Sequence, residues 1–127
     1  MTALLLAAAL PFTHLDDARF LAAVAVIEDN LQDRITSTGE RSIYGLGRKT
    51  WEQHMPGLPF ELATSRPDLA RECAGRHLRW LKRELSRRGL PQTPQVVGTC
   101  WNTGLRGFRF VTPYGFCVQA VYEEGTP

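Results

Sequence analysis

Between Ser65 and Gly89 the chain has the pattern of one long amphipathic helix, and this segment limits the fold more than any other. Ser65-Arg66-Pro67-Asp68 sets an acidic residue three places after a serine, with proline in the first turn, which is how helices commonly open. Leu69, Cys73, His77, Leu81 and Leu85 then recur every fourth residue, so they share one stripe. The helix is predicted to run to about Arg88, and Gly89 ends it. A helix of roughly 20 residues is about 30 Å long, and its stripe must be buried against other elements.

The remaining signals are also helical. Thr13 and Asp16 form a capping-box pattern that opens a helix through about Leu31, with Phe20, Val24 and Glu28 on one face beside Leu21 and Ile27. Asn30 to Gly39 reads as a loop, because the apolar periodicity stops and Ser, Thr, Asp and Gly cluster. A short helix is expected around Trp51 within Gly45 to Met55, followed by a loop from Pro56 to Pro59. Thr93-Pro94 opens a helix to about Thr103 that Gly104 terminates, and Pro113 opens a last one through Val118 and Val121. Phe108 to Val111 has the composition of a short strand, without a partner strand in the sequence. Trp51 and Trp80 are assigned to the core. The expected fold class is mostly α: one compact helical domain spanning residues 1–127.

Composition narrows function only a little. The chain is 43% hydrophobic and 22% charged, an ordinary globular mixture. A net charge of +2 suits an anionic polymer without demanding one. Cys73, Cys100 and Cys117 have no metal-site spacing and are read as buried thiols, with one disulfide plus a free cysteine as the alternative. His14, His54 and His77 lack metal-ligand spacing too, so no metal or cofactor is expected. Thr2 to Leu10 is an apolar run of nine residues, short of the roughly 20 that a membrane span needs. It reads as a first core helix ended by Pro11, with a signal-peptide segment as the alternative. Arg66 to Arg88 holds eight basic and three acidic residues. Nucleic-acid binding can be argued from it, but a solvated face is favoured, with the basic residues surrounding the helix.

Glu28 closes the run Ala-Val-Ala-Val-Ile on the apolar stripe rather than opposite it. Partial burial disfavours a carboxylate, and a carboxyl that keeps its proton can deliver it to the leaving oxygen of a glycosidic bond. The competing reading is a glutamate where the stripe meets solvent. Asp29, Asp33 and Glu40 are possible second carboxylates, read as solvated loop charges.

Five segments, in order, resemble the SLT-type lytic transglycosylase domain, which is related to goose-type lysozyme. Val26-Ile27-Glu28-Asp29 resembles the apolar run and Glu-Ser that end that family's catalytic helix. Gly39 to Gly45, running on to Thr50-Trp51, resembles its Gly-Ala-x-Gly-Leu-Met-Gln-x-x-x-x-Thr segment. His77-Leu78-Arg79-Trp80-Leu81 is similar to its Tyr-Leu-x-x-Leu helix, Cys100-Trp101-Asn102-Thr103-Gly104 to its Ala-Tyr-Asn-x-Gly, and Phe116-Cys117-Val118 to its last Tyr-Val. The resemblance covers roughly residues 15–122. In this alignment the family's substrate-contacting Gln falls on Gly45 and the preceding Gly on Ser42.

The resemblance implies a lysozyme-like fold and cleavage of the β-1,4 bond between N-acetylmuramic acid and N-acetylglucosamine. Glu28 would be the single catalytic acid/base, first protonating the bridging oxygen and then taking a proton from the C6 hydroxyl as a 1,6-anhydro ring closes. Tyr44, Trp101, Tyr114 and Phe116 are candidate faces for sugar rings, and Asn102 and Thr36 candidate partners for N-acetyl arms. For the aromatics the competing role is core packing, and for Asn102 a helix cap. Gly45 in place of Gln is expected to weaken the enzyme modestly, unless Arg48 or Gln53 supplies the missing contact. The implied partner is the glycan of peptidoglycan. No nucleic acid or stable membrane insertion is expected, and the protein would be a monomer in the periplasm or facing the cell wall, exported or phage-delivered. Two alternatives stay open within this reading, a hydrolytic muramidase and a catalytically weak peptidoglycan-binding module.

Overall fold

The longest helix lies where the apolar stripe places it, and most of the other helices pack against it. The computed structural model describes residues 14–29 and 43–124. These form α1 (Asp17–Asp29), α2 (Arg48–His54), α3 (Leu62–Ser65), α4 (Pro67–Arg87), α5 (Pro94–Thr103), a 3-10 turn (Leu105–Arg109) and α6 (Pro113–Glu124). The described residues make one mostly α, compact unit. The Thr2–Leu10 run, Thr13, the Asn30–Gly39 loop and within it Asp33 and Thr36, together with Glu40, lie outside them.

Cys73, Leu81 and Leu85 of the α4 stripe are buried, together with Ala70, Ala74 and Leu78 alongside. Leu69, His77 and Trp80 are half-buried at its margin. Trp51 of α2 is fully buried, and its indole N–H donates to the Leu58 carbonyl at 2.8 Å, pinning the loop that follows. At the start of α1, Lys82 of α4 reaches the Asp17 carboxylate at 2.6 Å. The guanidinium of Arg19 lies over the Tyr122 ring of α6.

Two glycines set the closest helix crossing. A Cβ on Gly98 of α5 would stand 2.9 Å from Val118 Cβ of α6. A Cβ on Gly115 of α6 would overlap the Gln95 carbonyl and Thr99 hydroxyl of α5. Each helix thus shows a bare backbone to the other, which permits close approach. The buried Thr99 hydroxyl is satisfied: it donates to the Gln95 carbonyl at 2.8 Å and accepts from the Thr112 N–H at 3.1 Å.

Several local expectations need correction. The Asp16 carboxylate accepts from the Arg19 N–H at 3.0 Å at the start of α1, and the Thr13 half of the expected capping box lies outside the described residues. The Ser65–Asp68 pattern forms no capping box: Arg66 stands at the N-cap without a side-chain cap and pairs with Asp68 at 2.7 Å instead. Thr93 does cap α5, accepting from the Val96 N–H at 3.3 Å. Residues 108–111 make no strand; the chain there is a 3-10 turn running out to an exposed Phe110, since an isolated strand has no ladder partner. The four-residue α3 carries no periodic signal and was not anticipated. Cys73 and Cys100 are buried free thiols, whereas Cys117 is exposed.

Replacing Gly115 by alanine is expected to destabilise the fold by about 1–3 kcal/mol, because a backbone carbonyl must move. The same change at Gly47, where an added Cβ meets nothing within 4 Å, is expected to be near neutral. Urea unfolding of the two variants checks the contrast.

Candidate active site

Glu28 ends the buried face of α1 that Phe20 and Val24 begin, and it is only 6% exposed. Its Oε2 accepts a hydrogen bond of 2.7 Å from the phenol of Tyr114, which comes from the first turn of α6. The pair can be satisfied in either protonation state, because a phenol both donates and accepts. Against the same carboxyl lies the backbone of Gly45. A Cβ there would stand 2.8 Å from Glu28 Cδ and 2.9 Å from each oxygen, and Gly45 has φ +64. Two independent constraints thus require glycine: the left-handed backbone and the carboxyl packed on its Cα.

Trp101 locks this turn in place. Its indole N–H donates to the Tyr44 carbonyl at 3.0 Å. Its ring meets Phe20 edge-on at 5.7 Å and His77 at 5.1 Å. One side chain of α5 therefore touches α1, α4 and the Gly45 turn together. Behind it, His77 Nδ1 and His54 Nε2 are 3.0 Å apart, so one ring donates and the other accepts. His77 also stacks on Trp80 at 5.7 Å. Burial, and secondarily the charge of His54, push the His77 pKa down to about 4. The His54 pKa is lowered by burial first and then by Arg76 and Arg83.

The residues picked from the sequence separate into groups. Glu28, Tyr114 and the Tyr44–Gly45 turn with Trp101 come together. The Tyr44 ring is buried in the core. Trp101 is half-buried, and its edge serves the turn. Asn102 is exposed on α5. Phe116 is 57% exposed; two positions along a helix is a rotation of roughly 200°, so it leaves α6 on another side from Tyr114. Thr36 lies outside the described residues, and the side chain of Asp29 is not described. Among the described residues no group of three His, Cys, Asp or Glu is placed to hold a metal ion, and no helix is long and apolar enough to cross a membrane.

The expectation that a Gln side chain is merely missing at Gly45 is corrected by this geometry. No side chain fits at Gly45 without displacing Glu28, so exchanging it for Gln cannot restore a contact. Sequence reasoning also missed the His54–His77 pair, for which a separation of 23 positions left no signal. The chain was compared with protein-family models, with curated proteins and with solved structures, and none matches.

Gly45→Ala is expected to cost about 2–3 kcal/mol in urea unfolding, from the left-handed backbone and the displaced carboxyl. The histidine pair gives a pH dependence. The His77 pKa is about 4 in the folded chain against an ordinary 6.5, so the unfolded chain binds the proton more readily. The stability linked to this group is fully present above pH ~6.5 and is lost as the pH falls towards ~4, on the order of 3 kcal/mol. His77→Phe is expected to flatten most of that slope in urea titrations across the window.

Proposed function

We propose that this chain is a peptidoglycan-cleaving glycosidase of the lytic transglycosylase kind, with Glu28 as its only catalytic acid/base. The observation that carries the reading is the setting of Glu28: a carboxyl withdrawn from water, laid on the Gly45 backbone and held by the Tyr114 phenol. General acid catalysis requires a proton donor whose position is fixed before substrate arrives. Both contacts fix the rotation of the carboxyl, and Tyr114 remains hydrogen-bonded as the proton leaves and returns.

A second register of the resemblance suits this reading. With Gly45-Leu46 on the Gly-Leu of Gly-Leu-Met-Gln, Ser42 moves to the first Gly and Arg48 stands at the Gln, while the matches of Gly39 and Thr50 are given up. The glycine is then the residue that lies on the catalytic carboxyl. Arg48 opens α2, with its guanidinium over the Phe60 ring at 4.9 Å, and it supplies hydrogen-bond donors in place of the amide.

In the proposed reaction Glu28 gives its proton to the oxygen that bridges N-acetylmuramic acid and N-acetylglucosamine. The substrate's own N-acetyl group assists as the bond breaks. The Glu28 carboxylate then removes the proton from the C6 hydroxyl, whose oxygen closes the 1,6-anhydro ring on C1. No second protein carboxylate takes part.

Glu28→Gln keeps the shape and a hydrogen-bonding partner for Tyr114, so the variant is expected to fold and to lose at least about 100-fold in the rate at which it clears purified sacculi. Tyr114→Phe leaves the acid in place but less well oriented and is expected to slow clearing by about tenfold. Wild-type rates in Glu28→Gln would overturn the assignment. Binding of sacculi without release of fragments by the unmodified protein would favour a glycan-binding module of the same fold.

A further inference from the structure

The basic residues of α4 do not surround it evenly. Arg76, Arg79, Lys82 and Arg83 fall within an arc of roughly 120°, and two open grooves meet along that arc. One, of about 460 Å³, is lined by Gln53, His54, Pro56, Arg76, Arg79 and Arg83. The other, of about 400 Å³, lies beyond it towards Asp17, Ser86 and Gln92 and shares Arg79 and Arg83.

The four cations differ in how they are neutralised. Lys82 is paired with Asp17 at 2.6 Å, and Arg76 with Glu72 at 2.9 Å. Arg76 also donates to the His54 carbonyl at 2.7 Å, which fixes it at the groove wall. Among the described residues, no carboxylate forms an ion pair with Arg79 or Arg83. Arg79 lies back over Gly75, where a Cβ would stand 3.3 Å from its Nη1. The absent side chain at Gly75 thus leaves room for the guanidinium. The field is felt by His54, on which both Arg76 and Arg83 act.

We propose that Arg79 and Arg83, with Arg76 beside them, bind a phosphoryl group in the groove between α2 and α4. Two guanidinium groups that have no carboxylate partner among the described residues are matched in charge by a phosphate dianion and only half-matched by a carboxylate, and the guanidinium fork fits phosphate oxygens in pairs. The site is separate from Glu28. None of Glu28, Gly45 and Tyr114 lines either groove. The inference therefore stands whether or not the chain cleaves glycans.

The test is titration with pyrophosphate at constant ionic strength, followed by calorimetry and by NMR of the His54 ring. Saturable binding is expected, with the His54 pKa rising towards its ordinary value as the bound anion offsets Arg76 and Arg83. Arg79→Gln/Arg83→Gln is expected to weaken binding by about tenfold or more at an unchanged thermal midpoint. Arg87→Gln/Arg88→Gln removes the same charge from a part of the helix where Glu84 already pairs both side chains, and it is expected to leave affinity within about twofold. Equal weakening by the two double variants, or no saturation, would overturn the proposal in favour of a diffuse charge effect. So would a single-stranded oligonucleotide that binds tightly and depends on Arg71, Arg87 and Arg88 as strongly as on Arg79 and Arg83.

Discussion

The contact between the Gly45 backbone and the Glu28 carboxyl is the constraint around which the described structure is organised. A carboxyl that is nearly out of water must be given polar partners, or its burial costs several kcal/mol. Here the carboxyl is approached from two sides by elements far apart in sequence. The turn at Gly45 arrives from before α2, and the Tyr114 phenol arrives from α6. Each approach has its own support. Trp101 holds the turn by the Tyr44 carbonyl, while Gly98 and Gly115 let α6 settle against α5 with Tyr114 in its first turn. Removing any of these supports loosens the same carboxyl, so positions that look unrelated in the sequence are expected to be coupled energetically.

A second buried polar contact runs from the core to the basic face of α4. His77 stacks on Trp80, meets Trp101 at a tilt and pairs with His54, and His54 borders the groove in which Arg76, Arg79 and Arg83 lie. Neutral imidazoles suit this position, because each can donate to or accept from the other without carrying charge inside. A proton on either ring puts charge into a partly buried site beside guanidinium groups, and protons on both leave two donors facing one another, which is why acid is expected to weaken the fold here first.

What could be read from the sequence was set by periodicity and punctuation. α4, α5 and α6 were legible to within a residue or two at the ends read for them, since Pro67, Pro94 and Pro113 mark starts and Gly89 and Gly104 mark ends. The stripe Phe20, Val24 and Glu28 correctly put a carboxyl among buried side chains. The strand at 108–111 failed because composition was weighed where no pairing existed. The capping box at Ser65 failed because Asp68 found Arg66, a closer and charged partner. For the site, the sequence picks out both Glu28 and Tyr114, but as an acid and a sugar face, and their mutual hydrogen bond depends on a tertiary approach that no local pattern encodes. Tyr44 and Phe116 were chosen as aromatic surfaces; one is buried and the other points off another side of α6. Gly45 was noticed as a missing side chain, and only the fold reveals that the space is already occupied by Glu28.

In the proposed reaction one carboxyl, held by Gly45 and Tyr114, closes an anhydro ring without a second carboxylate. Mass analysis of the material released from purified peptidoglycan sacculi tests it most directly. The account requires muropeptides that end in 1,6-anhydro-N-acetylmuramic acid. Sacculi left intact, or fragments that carry ordinary reducing ends, would contradict it.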